Sequence, residues 1–401
     1  MGGGRNPALH TIMWTILNIL LILTSIIFIP FTKEVFLSPK GMAFTILGFI
    51  LIAYSYISND IKTSTFKNKW LGFIFIYTIL HFGWLFYRPL LTCNDKVLWN
   101  LWNYLPTINI ILAILLIQTL VEYTDNLYRW LNISKVLIWL GVGFSIYALL
   151  QFLGLDQIFP SKFYWLMGRA DEFYKGRSFE NYRMITFFGN KMQTATLLVL
   201  VSPLCLMFRD LRYKVAYILI GFTVLLTMSA INIMAMVIGL MVYLLLTKKR
   251  KYFLILSGVC LAGAILVYYY RPDFFNLYGK LDLYKRVFMD TKDTFFTGHG
   301  IGSFIKIRYD VNGLLVDKLG FEPLQVLFEG GIILLILVSI YIVNLFIRII
   351  SAKESMLLIG YTSALMSFLV ISLGGYTFHI APFALIGIIL ISGIEGQLQG
   401  G

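Results

Sequence analysis

Arg177, Arg183 and Arg286 stand in two polar stretches of an otherwise apolar chain, with Lys280, Lys285 and Arg308 close to the last of them. A guanidinium presents a planar fork of donors that grips phosphate or diphosphate oxygens at two points, which a lysine cannot do. Three arginines so placed predict an anion site. The plainer alternative is contact with phospholipid headgroups, or pairing with Asp171, Glu172, Asp282 or Asp290. Thr297 to Phe304 reads Thr-Gly-His-Gly-Ile-Gly-Ser-Phe. Gly298 and Gly300 in it can open a nest of backbone N–H groups around an anion, or simply make a tight turn after a helix. His299 between them is either a proton carrier or a hydrogen-bonded turn residue.

Two carboxylates follow. Glu329 falls about one turn inside an apolar run, where an ionised carboxylate is expensive without a partner. It is expected to form a structural ion pair, with a loop arginine as partner. Glu322 lies seven residues earlier and shares a face with Glu329 if helix extends back past Pro323, a residue suited to a first helical turn. A carboxylate at a sheltered membrane mouth can be tuned as a general base; the plainer role for Glu322 is to cap the helix start. His81 and His379 lie within or beside apolar runs and read as packed, hydrogen-bonded histidines. No histidines pair at ligand spacing, and Cys93, Cys205 and Cys260 are too scattered for a disulfide frame or zinc site, so no metal is expected.

The elements that must position these groups are membrane helices. The chain is 59% hydrophobic and 13% charged, with mean hydropathy +0.80, whereas soluble domains are about 45–50% apolar and about 25% charged. Apolar runs of roughly 20 residues, enough to cross the hydrocarbon core as helix, recur throughout. They are continuous rather than alternating, which excludes a barrel. Twelve spans are expected, at 11–30, 41–58, 70–87, 97–122, 133–155, 190–208, 214–230, 231–247, 252–270, 326–347, 355–373 and 379–396. The first is expected to be retained rather than removed as a signal peptide. The reading is thus an all-α polytopic membrane protein, a single integral domain over 1–401. Two long loops interrupt it, at 156–190 and 271–325.

Lysine and arginine bias orients the spans. With the N-terminus inside, the cytoplasmic connections carry fifteen basic residues, including Lys248 to Lys251 and Arg209, Arg212 and Lys214. The short external connections carry four, Lys33, Lys40, Arg88 and Lys96. Both termini are therefore expected to be cytoplasmic and both long loops external. The net charge of +13 reads as this signal plus attraction to anionic membrane lipids, and no basic, aromatic-interleaved soluble surface suggests nucleic acid. No repeat or pair of inverted halves is visible, against a secondary transporter. A tight hairpin is expected at 227–232. Leu281, Tyr284, Val287, Phe288 and Thr291 follow helical spacing and predict a short external helix in the second loop. In the first loop, Phe163, Tyr164 and Trp165 suit an interfacial segment.

Over about residues 177–335 the chain resembles the O-antigen polymerase and ligase superfamily. Arg183-Met-Ile-Thr-Phe-Phe-Gly-Asn-Lys-Met-Gln193 resembles its R-x-x-x-x-F-G-N-x-N segment. Gly279-Lys-Leu-Asp-Leu-Tyr-Lys-Arg-Val-Phe, then Thr297 to Phe304, resemble its G-R-x-x-x-W helix and G-x-G-x-G-x-F turn. Leu324-Gln-Val-Leu-Phe-Glu-Gly-Gly-Ile332 resembles its L-Q-x-x-x-E-x-G-I entry to the next span. The resemblance implies a metal-independent, cofactor-free membrane glycosyltransferase of GT-C-like architecture in the bacterial cytoplasmic membrane. Its substrate would be an oligosaccharide on undecaprenyl diphosphate, with a chain-length regulator as a further partner. Arg183 would take the first-loop arginine's role, and Lys280 stands at the second-loop arginine position, with Arg286 one to two turns on to do that work. Ligases carry a His-Asn pair just before the L-Q motif; here Gly320 and Phe321 stand there, which favours a repeat-unit polymerase over a ligase. The expected catalytic set is Glu322 or His299 as base with Arg183 and Arg286. The diphosphate would be held by Arg177, Arg183, Lys280, Arg286, Gly298 and Gly300. The rival of another class is a flippase or transporter of lipid-linked oligosaccharide.

Overall fold

The computed structural model describes residues 7–26, 38–57, 68–91, 105–122, 127–155, 184, 186, 190–259, 278–301, 303–304, 309–311, 314–316, 319–353, 355–375 and 377–400. The described chain is helical apart from one small hairpin. In order come α1 (Pro7–Ile26), α2 (Ser38–Ile57), α3 (Lys69–Leu91), α4 (Leu105–Glu122), α5 (Leu127–Phe152), α6 (Lys191–Cys205), α7 (Leu211–Leu226) and α8 (Ala230–Leu246). Residues 250–259 are also helical. Then come α9 (Tyr278–Asp290), a 3₁₀ turn (Lys292–Thr294), strands β1 (Tyr309–Val311) and β2 (Leu314–Val316), α10 (Glu322–Ser351), α11 (Met356–Ser372) and α12 (Ala381–Gly400). The described parts of the expected apolar runs are largely helical, and residues 97–104 of the fourth and 260–270 of the ninth lie outside the described residues. Three of them, α5, α10 and all but the last residue of α12, are long and apolar enough to cross a membrane, and several shorter helices are apolar.

The distribution of side chains suits lipid. Ile46, Phe49, Leu80, Ile218, Phe222 and Ile350 point outward, each more than half exposed, while serines and threonines are buried between helices. In hydrocarbon, outward leucines lose nothing, and helices associate through close packing and interhelical hydrogen bonds. The bundle supplies such bonds. Ser367 Oγ donates to Ala235 O at 2.9 Å, joining α11 to α8. Ser134 Oγ and Tyr361 OH meet at 3.0 Å between α5 and α11, and Thr45 Oγ1 donates to Asn109 Oδ1 at 2.7 Å between α2 and α4.

The centre is formed by α6, α11 and α12. From Gln193 to Cys205 every residue of α6 is buried, and Asn190 starts the helix by accepting the Met192 N–H at 2.8 Å. Trp130 stands edge-on to both Trp14 and Tyr361, fastening α1 and α11 to α5. The expected hairpin at 227–232 is present: α7 and α8 are joined by Thr227 to Ser229 alone.

The second loop packs its own small core. Leu283 and Val287 of α9 lie with Phe304, Leu319, Leu324, Leu327 and Phe328. The short helix is therefore where its spacing placed it, but rotated. Leu281 and Phe288, expected on the packed face, are half exposed, while Leu283 is buried. The 283–287–291 stripe meets α10, and only the position of that partner could choose between neighbouring stripes. The β1–β2 pairing, with Tyr309 opposite Val316 and Val311 opposite Leu314, was not expected from the sequence.

Candidate functional site

The site begins with a break in α10. Gly331 has φ 73° and ψ 178°, outside the helical region, a conformation open in practice to glycine alone. Carbonyls in the turn before such a break lose their helical partners and must find others. The Gly298-His-Gly turn supplies two of them: His299 N–H donates to Phe328 O at 2.8 Å and Gly300 N–H to Glu329 O at 2.9 Å. In return Ile332 N–H donates to Phe295 O at 2.8 Å. The Gly330 carbonyl accepts the Tyr77 hydroxyl of α3 at 2.7 Å, and His81, one turn on, donates from Nε2 to Thr297 O at 2.9 Å. Gly298, at φ 71°, lies so close that a Cβ would overlap the backbone of Glu329 and Gly331.

This geometry corrects the expected anion nest. The N–H groups of Gly298, His299 and Gly300 are committed to Thr294 O, Phe328 O and Glu329 O. Gly298 and Gly300 therefore hold the turn against the break, and offer no free amides to a diphosphate. His299 stacks on Phe328 with ring centroids 4.3 Å apart and lies 2.9 Å from the Thr294 hydroxyl through Nδ1. That is the turn-residue role of its two readings.

Ahead of the break, Glu322, Gln325 and Glu329 line one face of α10 at spacings of three and four residues, and all three are buried. Pro323 occupies the first turn as expected, but no side chain caps the helix there. Glu322 does not cap it either. It faces the connection between α11 and α12, where Oε1 accepts the Phe378 N–H at 3.0 Å and His379 Nδ1 at 3.2 Å, with Oε2 3.1 Å from the same nitrogen. His379 Nε2 lies 2.9 Å from the Gln325 amide nitrogen and 3.8 Å from Glu329 Oε2. Gln325 also donates to Glu329 Oε1 at 3.2 Å and accepts Leu319 N–H at 3.4 Å.

Two buried carboxylates thus flank one imidazole. Burial disfavours a charge on His379, but Glu322 and Glu329 outweigh it, and these effects by themselves raise its pKa from the ordinary 6.5 to about 10. A carboxylate fixed by a backbone N–H and an imidazole is held in one orientation, as a positioned proton acceptor needs to be.

The sequence-level set is only partly assembled. Glu322 and Glu329 come together through His379 and Gln325. Arg286 is exposed on α9 and forms no ion pair among the described residues. Lys280 lies on the first turn of α9. Arg177, Arg183 and Arg308 fall outside the described residues, as do Asp171, Glu172 and the aromatic segment at 163–165. His379, read as a packing residue, is the main addition. A histidine four residues past a Gly-Gly pair between two apolar runs was a visible signal, but nothing local connected it to Glu322. A third buried carboxylate was also missed. Near the opposite end of the same helices, Glu395 of α12 binds Arg348 at 2.8 Å, Asn68 Nδ2 at 2.7 Å and Tyr341 OH at 3.3 Å. No family model matches this chain, and no curated protein matches it.

Proposed function

We propose that this chain is a membrane glycosyltransferase that joins oligosaccharide repeat units carried on undecaprenyl diphosphate into a surface polysaccharide. The observation that carries the reading is the Glu322–His379 pair, a buried, oriented carboxylate at the mouth of an apolar helix, directly beside the second long loop. The motifs over 177–335 support it, and His379 offers an imidazole beside the L-Q motif, where the resembling ligases have their histidine in the preceding sequence. About twelve spans, both termini cytoplasmic and both long loops external, complete the arrangement, as the lysine and arginine bias requires.

In this mechanism a sugar hydroxyl of one lipid-linked unit attacks the anomeric carbon of the reducing-end sugar on the growing chain. Glu322 takes the hydroxyl proton as the new C–O bond forms. The bond from that carbon to the diphosphate oxygen breaks, and undecaprenyl diphosphate leaves with the electron pair. Arg183, Arg177, Arg286 and Lys280 neutralise the charge it gains. Replacing Arg183 and Arg286 separately by alanine, in a strain lacking its own copy, should abolish long-chain polymer. Undiminished polymer from both variants would remove these arginines from the site. Single repeats on the acceptor after loss of the gene indicate a polymerase, and none indicates a ligase.

One observation favours a second reading. A helix broken at glycine beside buried carboxylates is also how secondary transporters build substrate sites. Inverted vesicles that accumulate lipid-linked oligosaccharide without lengthening it would establish a flippase instead.

A further inference from the structure

The orientation of one amide sets the proton on His379. Gln325 is buried, with its oxygen toward Leu319 N–H and its nitrogen toward both Glu329 Oε1 and His379 Nε2. Turned over, it would set N–H₂ against an N–H and a carbonyl oxygen against a carboxylate, so these two partners select the orientation. An amide nitrogen only donates. At 2.9 Å the facing Nε2 must therefore be an acceptor, and the ring's single proton lies on Nδ1, where Glu322 receives its hydrogen bond.

We propose that Gln325 is a positioning residue that holds His379 neutral, with its proton on Nδ1, and thereby keeps Glu322 basic enough to deprotonate an acceptor hydroxyl. The inference rests on the glycosyl-transfer reading for its purpose, though not for its geometry. Among the described residues, the titratable groups facing His379 are Glu322 and Glu329 of α10, with His81 of α3 within electrostatic reach of Glu329. Both carboxylates favour an imidazolium, and an imidazolium beside Glu322 would lower its affinity for a proton. Gln325 opposes that pull, because a proton on Nε2 would meet the hydrogens of its amide.

The test is nitrogen NMR of the full-length protein labelled with ¹⁵N-histidine in nanodiscs. The chain has four histidines, and His379→Asn identifies the signals of interest. At pH 7.5 wild-type His379 should be neutral and protonated on Nδ1. In Gln325→Leu the ring should be imidazolium at pH 7.5 and stay so toward pH 10. Gln325→Glu, close in shape, should also give imidazolium and covers a failure of the leucine variant to fold. A wild-type imidazolium at pH 7.5, a proton on Nε2, or rings unchanged in the folded variants would overturn the inference. With lipid-linked substrate, the maximal rate of Gln325→Glu should fall about tenfold at unchanged KM, its acid limb moving to lower pH. The ring signals need no substrate. A chain with the expected tautomer that makes no polymer would therefore defeat the glycosyltransferase reading while leaving the role of Gln325 intact.

Discussion

Replacing Gly331 by alanine separates a broken α10 from a continuous one by the sign of the effect. In an unbroken helix, glycine to alanine stabilises by about 1 kcal/mol, because alanine loses less backbone freedom. At φ 73° and ψ 178° the same change forces a side chain into a region that costs about 1–3 kcal/mol. A Cβ there would also overlap the Phe296 carbonyl and the Gly298 amide. Relief means pulling the Gly298-His-Gly turn off the break, which exposes the carbonyls of Phe328 and Glu329 that it now satisfies, at about 1 kcal/mol for each bond lost. Together these give a destabilisation of about 3 kcal/mol or more. Gly143→Ala in α5 is the control, since a Cβ there would meet nothing within 4 Å. The assay is thermal unfolding of the purified protein in one detergent, with limited proteolysis of the 292–304 segment alongside. Gly331→Ala should melt well below wild type and be cut faster in that segment. A Gly331→Ala protein as stable as wild type, or more so, would refute the break and the docking of the turn upon it.

Other changes test neighbouring parts. Tyr77→Phe removes the donor to the Gly330 carbonyl and should cost about 1–3 kcal/mol in the same melt. Arg348→Ala strands the buried Glu395 carboxylate and should cost about 3 kcal/mol; adding Glu395→Gln should recover most of that loss, measured as a double-mutant cycle. Under the proposed glycosyl transfer, Glu322→Gln keeps the shape but removes the proposed base, and should slow polymer formation about 10²–10⁴-fold while the protein remains folded by the same melt.

Much of the helical framework was legible because its signals are local. Each apolar run declares itself within about 20 residues, and the short link at Thr227 to Ser229, the helix start at Pro323 and the short helix of the second loop are equally local. Glu329 stood out as a charge in an apolar run, and its partner was sought among the arginines of the loops. Gln325 and His379 meet it in the described residues, which hydropathy could not foresee, because it says which residues are buried, not which of them meet. Gly330 and Gly331 looked like ordinary small residues in a span. Their break shows only when the turn from 298 to 300 arrives to satisfy the freed carbonyls.

By itself, the sequence determined that this is a chain of apolar helices, where most of them lie, and which charges would need company inside them. Burying a continuous apolar run and a local turn depends on neighbours a few residues away, and that information is written in order along the chain. Tertiary structure alone decided that Glu322 meets His379, 57 residues on, that Glu395 meets Arg348 near the far end of the bundle, and that the glycine turn serves a broken helix rather than an anion. Those pairings depend on helix rotation and order of packing. A shift of one residue along a helix turns a side chain by about 100°, which exchanges one partner for another while leaving the hydropathy pattern unchanged.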